Sequence, residues 1–171
     1  TDPDAGGGGN ISHIAGQSVT ISEGASVAAS TTGPGKAGNI LVKANDISLN
    51  GGATITAASS GAGNAGTVTV QGLNSPANSF VVDGAGSGIL TDTQGNGVGG
   101  NISVNSNSVT MQNGGTLSGG TAGTAPSATG GTITVNAEHV TLNSQAVITT
   151  DTNGIASAGV VDINTGSLAI N

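Results

Sequence analysis

The chain has 171 residues, of which 32 are Gly, none is Cys, 6% are charged and one, Phe80, is aromatic. A formal net charge of −7, with Lys36 and Lys43 as the only strong bases, argues against nucleic acid or an anionic membrane as partner. No apolar run approaches the ~18 residues of a membrane-spanning helix, no secretory leader opens the chain, and without Cys no disulfide framework is available.

In chain order, six units open on a Gly, at intervals of 28–34 residues. The first begins at Gly9 with Ile11, carries one extra residue near His13 and Ile14, and continues through Val19, Ile21 and Val27. The second begins at Gly38 and runs through Ile40, Val42, Ile47, Leu49 and Ile55. Gly66 opens the third with Val68 and Val70; an insertion, Gly72–Ser79 with Pro76, precedes Phe80, Val82 and Ile89. The fourth, from Gly100, has Ile102, Val104, Val109, Met111 and Leu117, then a second insertion, Thr121–Thr129 with Pro126. Gly131 leads Ile133, Val135, Val140, Leu142 and Ile148, and Gly159 leads Val161, Ile163, Leu168 and Ile170.

Within each unit the apolar positions come in pairs separated by one residue, the period of a strand with one buried face. No stretch sustains helical spacing. Each unit therefore predicts three short strands: one near the Gly, one at positions such as 46–50 and one at positions such as 53–58, divided by Gly, Asn and Ser turns. A unit this small cannot bury its own aliphatic side chains and must stack on its neighbours. With ~4.8 Å between stacked strands, the apolar positions become continuous internal columns. The predicted fold is all-β: a right-handed parallel β-helix (β-solenoid) of about six coils of roughly 28–34 residues, three short strands per coil, with residues 1–171 as one segment. Registered β-branched columns separate such a chain from a disordered low-complexity one, and a narrow lumen accounts for the scarcity of rings.

The runs Gly8-Gly9-Asn10-Ile11, Gly38-Asn39-Ile40 and Gly99-Gly100-Asn101-Ile102, together with Asp46–Thr56 and its repeat His139–Thr149, resemble the repetitive region of filamentous-haemagglutinin-like exoproteins. The resemblance covers nearly the whole chain. It implies two-partner secretion through an outer-membrane transporter, an extracellular or bacterial cell-surface location, and roles in adhesion, aggregation or biofilm matrix, with host-cell or matrix glycans as partners. The Asn-Pro-Asn motif of the family's secretion domain is missing, so the resemblance implies downstream shaft, with the transport signal expected elsewhere in a longer precursor. A start at Thr1-Asp2-Pro3, without Met, is expected of a processed or excised piece. Neither Thr1–Gly8 nor Ser167–Asn171 reads as a polar cap. The expectation is therefore further coils of the same polypeptide, or copies stacked head to tail with Gly159–Asn171 meeting Thr1–Gly8 in an open filament.

Candidate sites are few. The acids Asp2, Asp4, Glu23, Asp46, Asp83, Asp92, Glu138, Asp151 and Asp162 are spread over different coils. Asp92 and Asp151 are expected to share a column two coils apart, about 9.6 Å, a separation suited to an inverting carboxylate pair, though no ring is available to stack on sugar. No calcium nonapeptide or EF-hand loop occurs; Asp83 before Gly84, and Asp2 and Asp4 before Gly6, read as turn residues. His13 and His139 stand without a second ligand at metal spacing. Thr-x-Thr pairs at Thr54/Thr56, Thr67/Thr69, Thr91/Thr93, Thr132/Thr134 and Thr150/Thr152 suggest an ice-binding face, but Thr67/Thr69 align with Asn39/Leu41 and Asn101/Ser103, and Thr is favoured on exposed strand faces. Asn50, Asn143 and Asn171, with Gln112 and Asp83, predict a structural turn column of stacked amides. Asn10-Ile11-Ser12 and Asn101-Ile102-Ser103 match glycosylation acceptors yet lie at strand starts. The two insertions are the best places for specificity.

Together these readings predict a non-catalytic structural shaft of a surface adhesin or matrix fibre, with no catalytic, cofactor or metal site, no nucleic-acid partner, no membrane insertion, and end-to-end β-solenoid neighbours. The competing readings are a self-polymerising filament subunit, an ice or carbohydrate binder, and a polysaccharide enzyme.

Overall fold

The computed structural model describes residues 6–74 and 76–171, and within them the chain is strands and turns only. The first coil carries β1 (Ile11–Ile14), β2 (Ser18–Ile21) and β3 (Ser26–Ala28); the second β4 (Ile40–Lys43), β5 (Asp46–Asn50) and β6 (Thr54–Thr56); the third β7 (Val68–Gln71), β8 (Ala77–Asp83) and β9 (Gly88–Leu90). The fourth has β10 (Ile102–Gln112) and β11 (Thr116–Ser118), the fifth β12 (Thr132–Leu142) and β13 (Val147–Thr149), and β14 (Val160–Ile170) opens a sixth. Every pairing between coils is parallel and joins like positions of successive units, giving a β-solenoid of about 5 turns. The six units expected are thus five turns and the opening strand of another. No helix among the described residues is long and apolar enough to cross a membrane.

The aliphatic columns fall where the two-residue period placed them. Ile40, Val68, Ile102 and Ile133 stack in one, Ile47, Phe80, Val109 and Val140 in a second, and Ile55, Ile89 and Leu117 in a third, all buried. Each buried side chain of this size contributes about 1.5–3 kcal/mol. Phe80 and Val82 keep register with Ile47 and Leu49 despite the insertion before them.

Every residue of the Gly-Asn-Ile start has a partner in an adjacent coil. A Cβ on Gly66 would land on the carbonyl of Gly38, one on Gly100 on that of Gly66, and one on Gly131 on that of Gly100. Close backbone approach, rather than an unusual φ, thus imposes this Gly column. The following Asn reaches to the next coil: Asn10 Oδ1 accepts the amide of Asn39 (2.8 Å), Asn39 Oδ1 that of Thr67 (2.9 Å) and Asn101 Oδ1 that of Thr132 (2.9 Å).

Four features differ from the sequence reading. The first two strands of a coil remain separate only in the first three coils; in the later ones they run on as 11-residue strands. Ladder pairing still lapses at the bend, passing from Asn105↔Asn136 to Ser108↔His139, because Ser106 turns its hydroxyl inward to the carbonyls of Ala77 and Ser108. The extra residue of the first unit lies at Ala15–Gln17, since Ile14 still pairs with Lys43 while Ser18 pairs with Asp46. One-residue bridges Thr31↔Ser59↔Thr93↔Thr121↔Thr152 add a further column at the turn after the third strand. Finally, Thr91 and Thr93 are buried, not on an exposed face: Thr91 Oγ1 donates to the carbonyl of Gly100 (2.8 Å) and Thr93 Oγ1 to that of Val98 (3.0 Å).

Candidate functional site

Asp92 and Asp151 do come to one groove. They follow β9 and β13, with Gly120 after β11 between them, because Leu90, Ser118 and Thr149 are register partners. Two coil steps place them about 9.6 Å apart along the axis, in an open groove with Gln94, Ser118 and Asn153. Asp92 Oδ1 accepts from Ser118 Oγ at 2.5 Å and from the amide of Gly120 at 2.7 Å, so this carboxylate fastens the third coil to the fourth. A Cβ on Gly120 would stand 2.6 Å from the carbonyl oxygen of Asp151 and 3.3 Å from Asp92 Oδ1, which explains the Gly there. An inverting pair needs both carboxylates facing the scissile bond, with space for water; here one of them is turned toward the coil below its neighbour.

The turn column reads Asn50, Asp83, Gln112, with Asn143 and Asn171 continuing it. Gln112 Nε2 (3.0 Å) and Asn113 Nδ2 (2.8 Å) donate to the Asp83 carboxylate, and Asn171 Nδ2 donates to Asn143 Oδ1 (2.9 Å). The bonds from Asn113 first and Gln112 second hold Asp83 below its ordinary pKa, against a small opposing effect of burial. Asp83 is thus a coil-to-coil acceptor as well as a turn residue, and Asp2 and Asp4 lie outside the described residues.

His13 is exposed and in register with Val42, and His139 Nδ1 meets Ser167 Oγ at 2.8 Å. Among the described residues no group of three or more His, Cys, Asp and Glu gathers. The two sequons begin with the Asn residues whose Oδ1 atoms cap the next coil, Asn10 and Asn101.

The insertions behave differently. In Thr121–Thr129 the two ends stay bridged to Thr152 and Ser157, and Asn96 Oδ1 holds the amides of Thr124 (2.9 Å) and Ala125 (3.2 Å), so this excursion is tied down. Within Gly72–Ser79 pairing has resumed by Ala77, which matches Ser106, and the part before it borders Lys43 and Asn105. Pro76 also ends a second groove, at the bend of the long strands, lined by Asn105, Asn136 and Asn164. Sequence reading missed this amide column. Its signal was present: an Asn five residues after each of Gly100, Gly131 and Gly159.

Compared with protein-family models, with curated proteins and with solved structures, the chain matches none of them.

Proposed function

We propose that the chain is a non-catalytic structural shaft, exposed outside a bacterial cell as part of a surface adhesin or matrix fibre of the filamentous-haemagglutinin-like kind. The observation that carries this reading is the unbroken parallel register from β1 to β14, in which the strand-start motif is used up by contacts between coils. Gly gives close approach, Asn caps the adjacent amide and the aliphatic residue fills the column. The dispersed acids and the engagement of Asp92 with Ser118 and Gly120 favour scaffold over catalysis. An outer-membrane transporter during export and β-solenoid neighbours at the ends belong to the same proposal.

The test is reach. Six further coils, cloned in tandem into a two-partner secretion substrate, should carry a terminal fluorophore about 29 Å farther from the outer membrane. Unchanged reach, or retention of the chain inside the cell, overturns the shaft. A second reading, a self-polymerising subunit, has its own observation. Among the described residues β14 pairs only with β12 and leaves Leu168 48% and Ile170 70% exposed, a surface that a coil of another copy would cover as well as one of the same polypeptide. Electron microscopy of the isolated chain separates the two, since only the subunit grows into long fibres alone.

A further inference from the structure

We propose that the groove at the bend of β10, β12 and β14 binds a neutral, extended, β-linked polysaccharide lying along the solenoid axis. A shaft needs no such groove, so this site goes beyond the reading above.

One wall is the register column Asn105, Asn136, Asn164, and the other carries His139 and Ser167. The fold leaves part of the capacity of these amides free, as it does at Asn50, Asn78 and Asn153. Here, however, the residues stand in register on three successive coils, with Asn164 Nδ2 also donating to Asp162 at 3.3 Å. Elsewhere Asn10, Asn39, Asn96 and Asn101 cap amides of the next coil, and Asn143 and Asn171 bond to each other. Within the groove the column has one internal bond, Asn164 Nδ2 to Asn136 Oδ1 at 3.1 Å. The amide groups of Asn105 and Asn107, and the Nδ2 of Asn136, have no partner among the described residues.

The groove thus offers primary amides that both donate and accept, repeated every ~4.8 Å along one line. An extended chain of β-1,4-linked pyranoses advances by nearly that interval per sugar, with alternate sugars turned over, so each sugar brings one hydroxyl-bearing edge to one Asn. A peptide strand along the same line advances only ~3.3 Å per residue and falls out of step. Charge narrows the class further. Glu138 borders the groove, no Lys or Arg lines it, and the chain carries −7 overall, which disfavours sulfated or uronate polymers. Pro76 at one end and Ala137 on the floor supply apolar contact for a sugar C–H face. Without an aromatic platform a single groove binds weakly, and useful affinity comes from many copies.

The experiment is an amide-resolved NMR titration of the whole chain with cello- and chito-oligosaccharides of two to six sugars, with dextran and polygalacturonate as comparisons. Saturable shifts confined to the groove, affinity rising to about three sugars and then levelling, and at least tenfold weaker binding in the Asn105→Leu/Asn136→Leu double variant, with melting near that of the parent, support the site. No saturation by ~10 mM, equal binding by the double variant, or preference for polygalacturonate overturns it. Should the double variant misfold, His139→Ala gives the same reading, since it lies in the opposite wall. Failure here leaves the reach experiment untouched, so the two proposals fall separately.

Discussion

At Gly100 a methyl group has nowhere to go: it would occupy the carbonyl of Gly66 and stand 2.8 Å from Thr91 Cβ. At Gly9, the same position of the first coil, a Cβ meets nothing within 4 Å. Gly100→Ala should therefore cost about 1–3 kcal/mol or more, and Gly9→Ala almost nothing, by urea denaturation of each variant. Equal losses would mean that close approach between coils does not impose the Gly column, since the entropy effect of Gly→Ala alone would stabilise both variants. Hydroxyls sort the same way. Thr31, Thr121 and Thr152 accept a nearby Gly amide, whereas Ser59 Oγ, buried in their column, has no partner among the described residues. Ser59→Ala should be neutral or stabilising, while Thr91→Val, which removes bonds to the carbonyls of Gly100 and Ser118, should lose about 1 kcal/mol. The Gly repeat was legible from spacing alone, since steric exclusion acts on one residue type. The buried Thr residues were not: a strand-favouring hydroxyl looks the same facing water or facing a carbonyl.

Coupling between strands and turns has a pH signature. Asp83, at the end of β8, is held by Asn113 and Gln112 of the next coil, which lowers its pKa in the folded chain below the ordinary carboxylate value. A lowered folded pKa means stability that is present above the unfolded value and lost as pH falls through the folded one. Acid melts from pH 7 downward should show a loss below about pH 4 that is smaller in Asp83→Asn; identical acid profiles would remove Asp83 from the coil contact. The loops divide on similar grounds. Removing Ala125–Ser127 should leave the melting temperature nearly unchanged, because the bridges Thr121↔Thr152 and Thr129↔Ser157 flank the deleted residues, and a collapse of the fold would show that the excursion is needed. Strand positions were readable because alternation survives insertion, as Phe80 beside Ile47 demonstrates. The fused strands were not, because their continuity depends on how the bend at Ser106 is satisfied by Ala77, a residue of the previous coil.

Among the described residues, strand pairing runs only between successive coils: β12 with β10 and β14, β7 with β4 and β10, β6 with β3 and β9. Stability is then close to a sum of coil and interface contributions, and it varies along the rod. Central layers are covered on both sides, so Val70, Val104 and Leu117 are fully buried, whereas Ile14 is 65% and Ile170 70% exposed on the outer ones. Amide exchange should therefore be slowest in β7, β10 and β11 and fastest in β1, β2 and β14, with a graded profile. Leu117→Ala, at the centre, should cost about 2–5 kcal/mol and speed exchange in β9, β11 and β13 together, because those strands share its column. A uniform exchange rate from β1 to β14 would instead require one global cooperative unit, which contacts confined to neighbouring coils do not provide. The same geometry links the rod to its proposed work: coils that stack by a common rule can be added without redesign, so length becomes a function of copy number while each outward-facing column, such as Asn105, Asn136 and Asn164, repeats its chemistry along the axis.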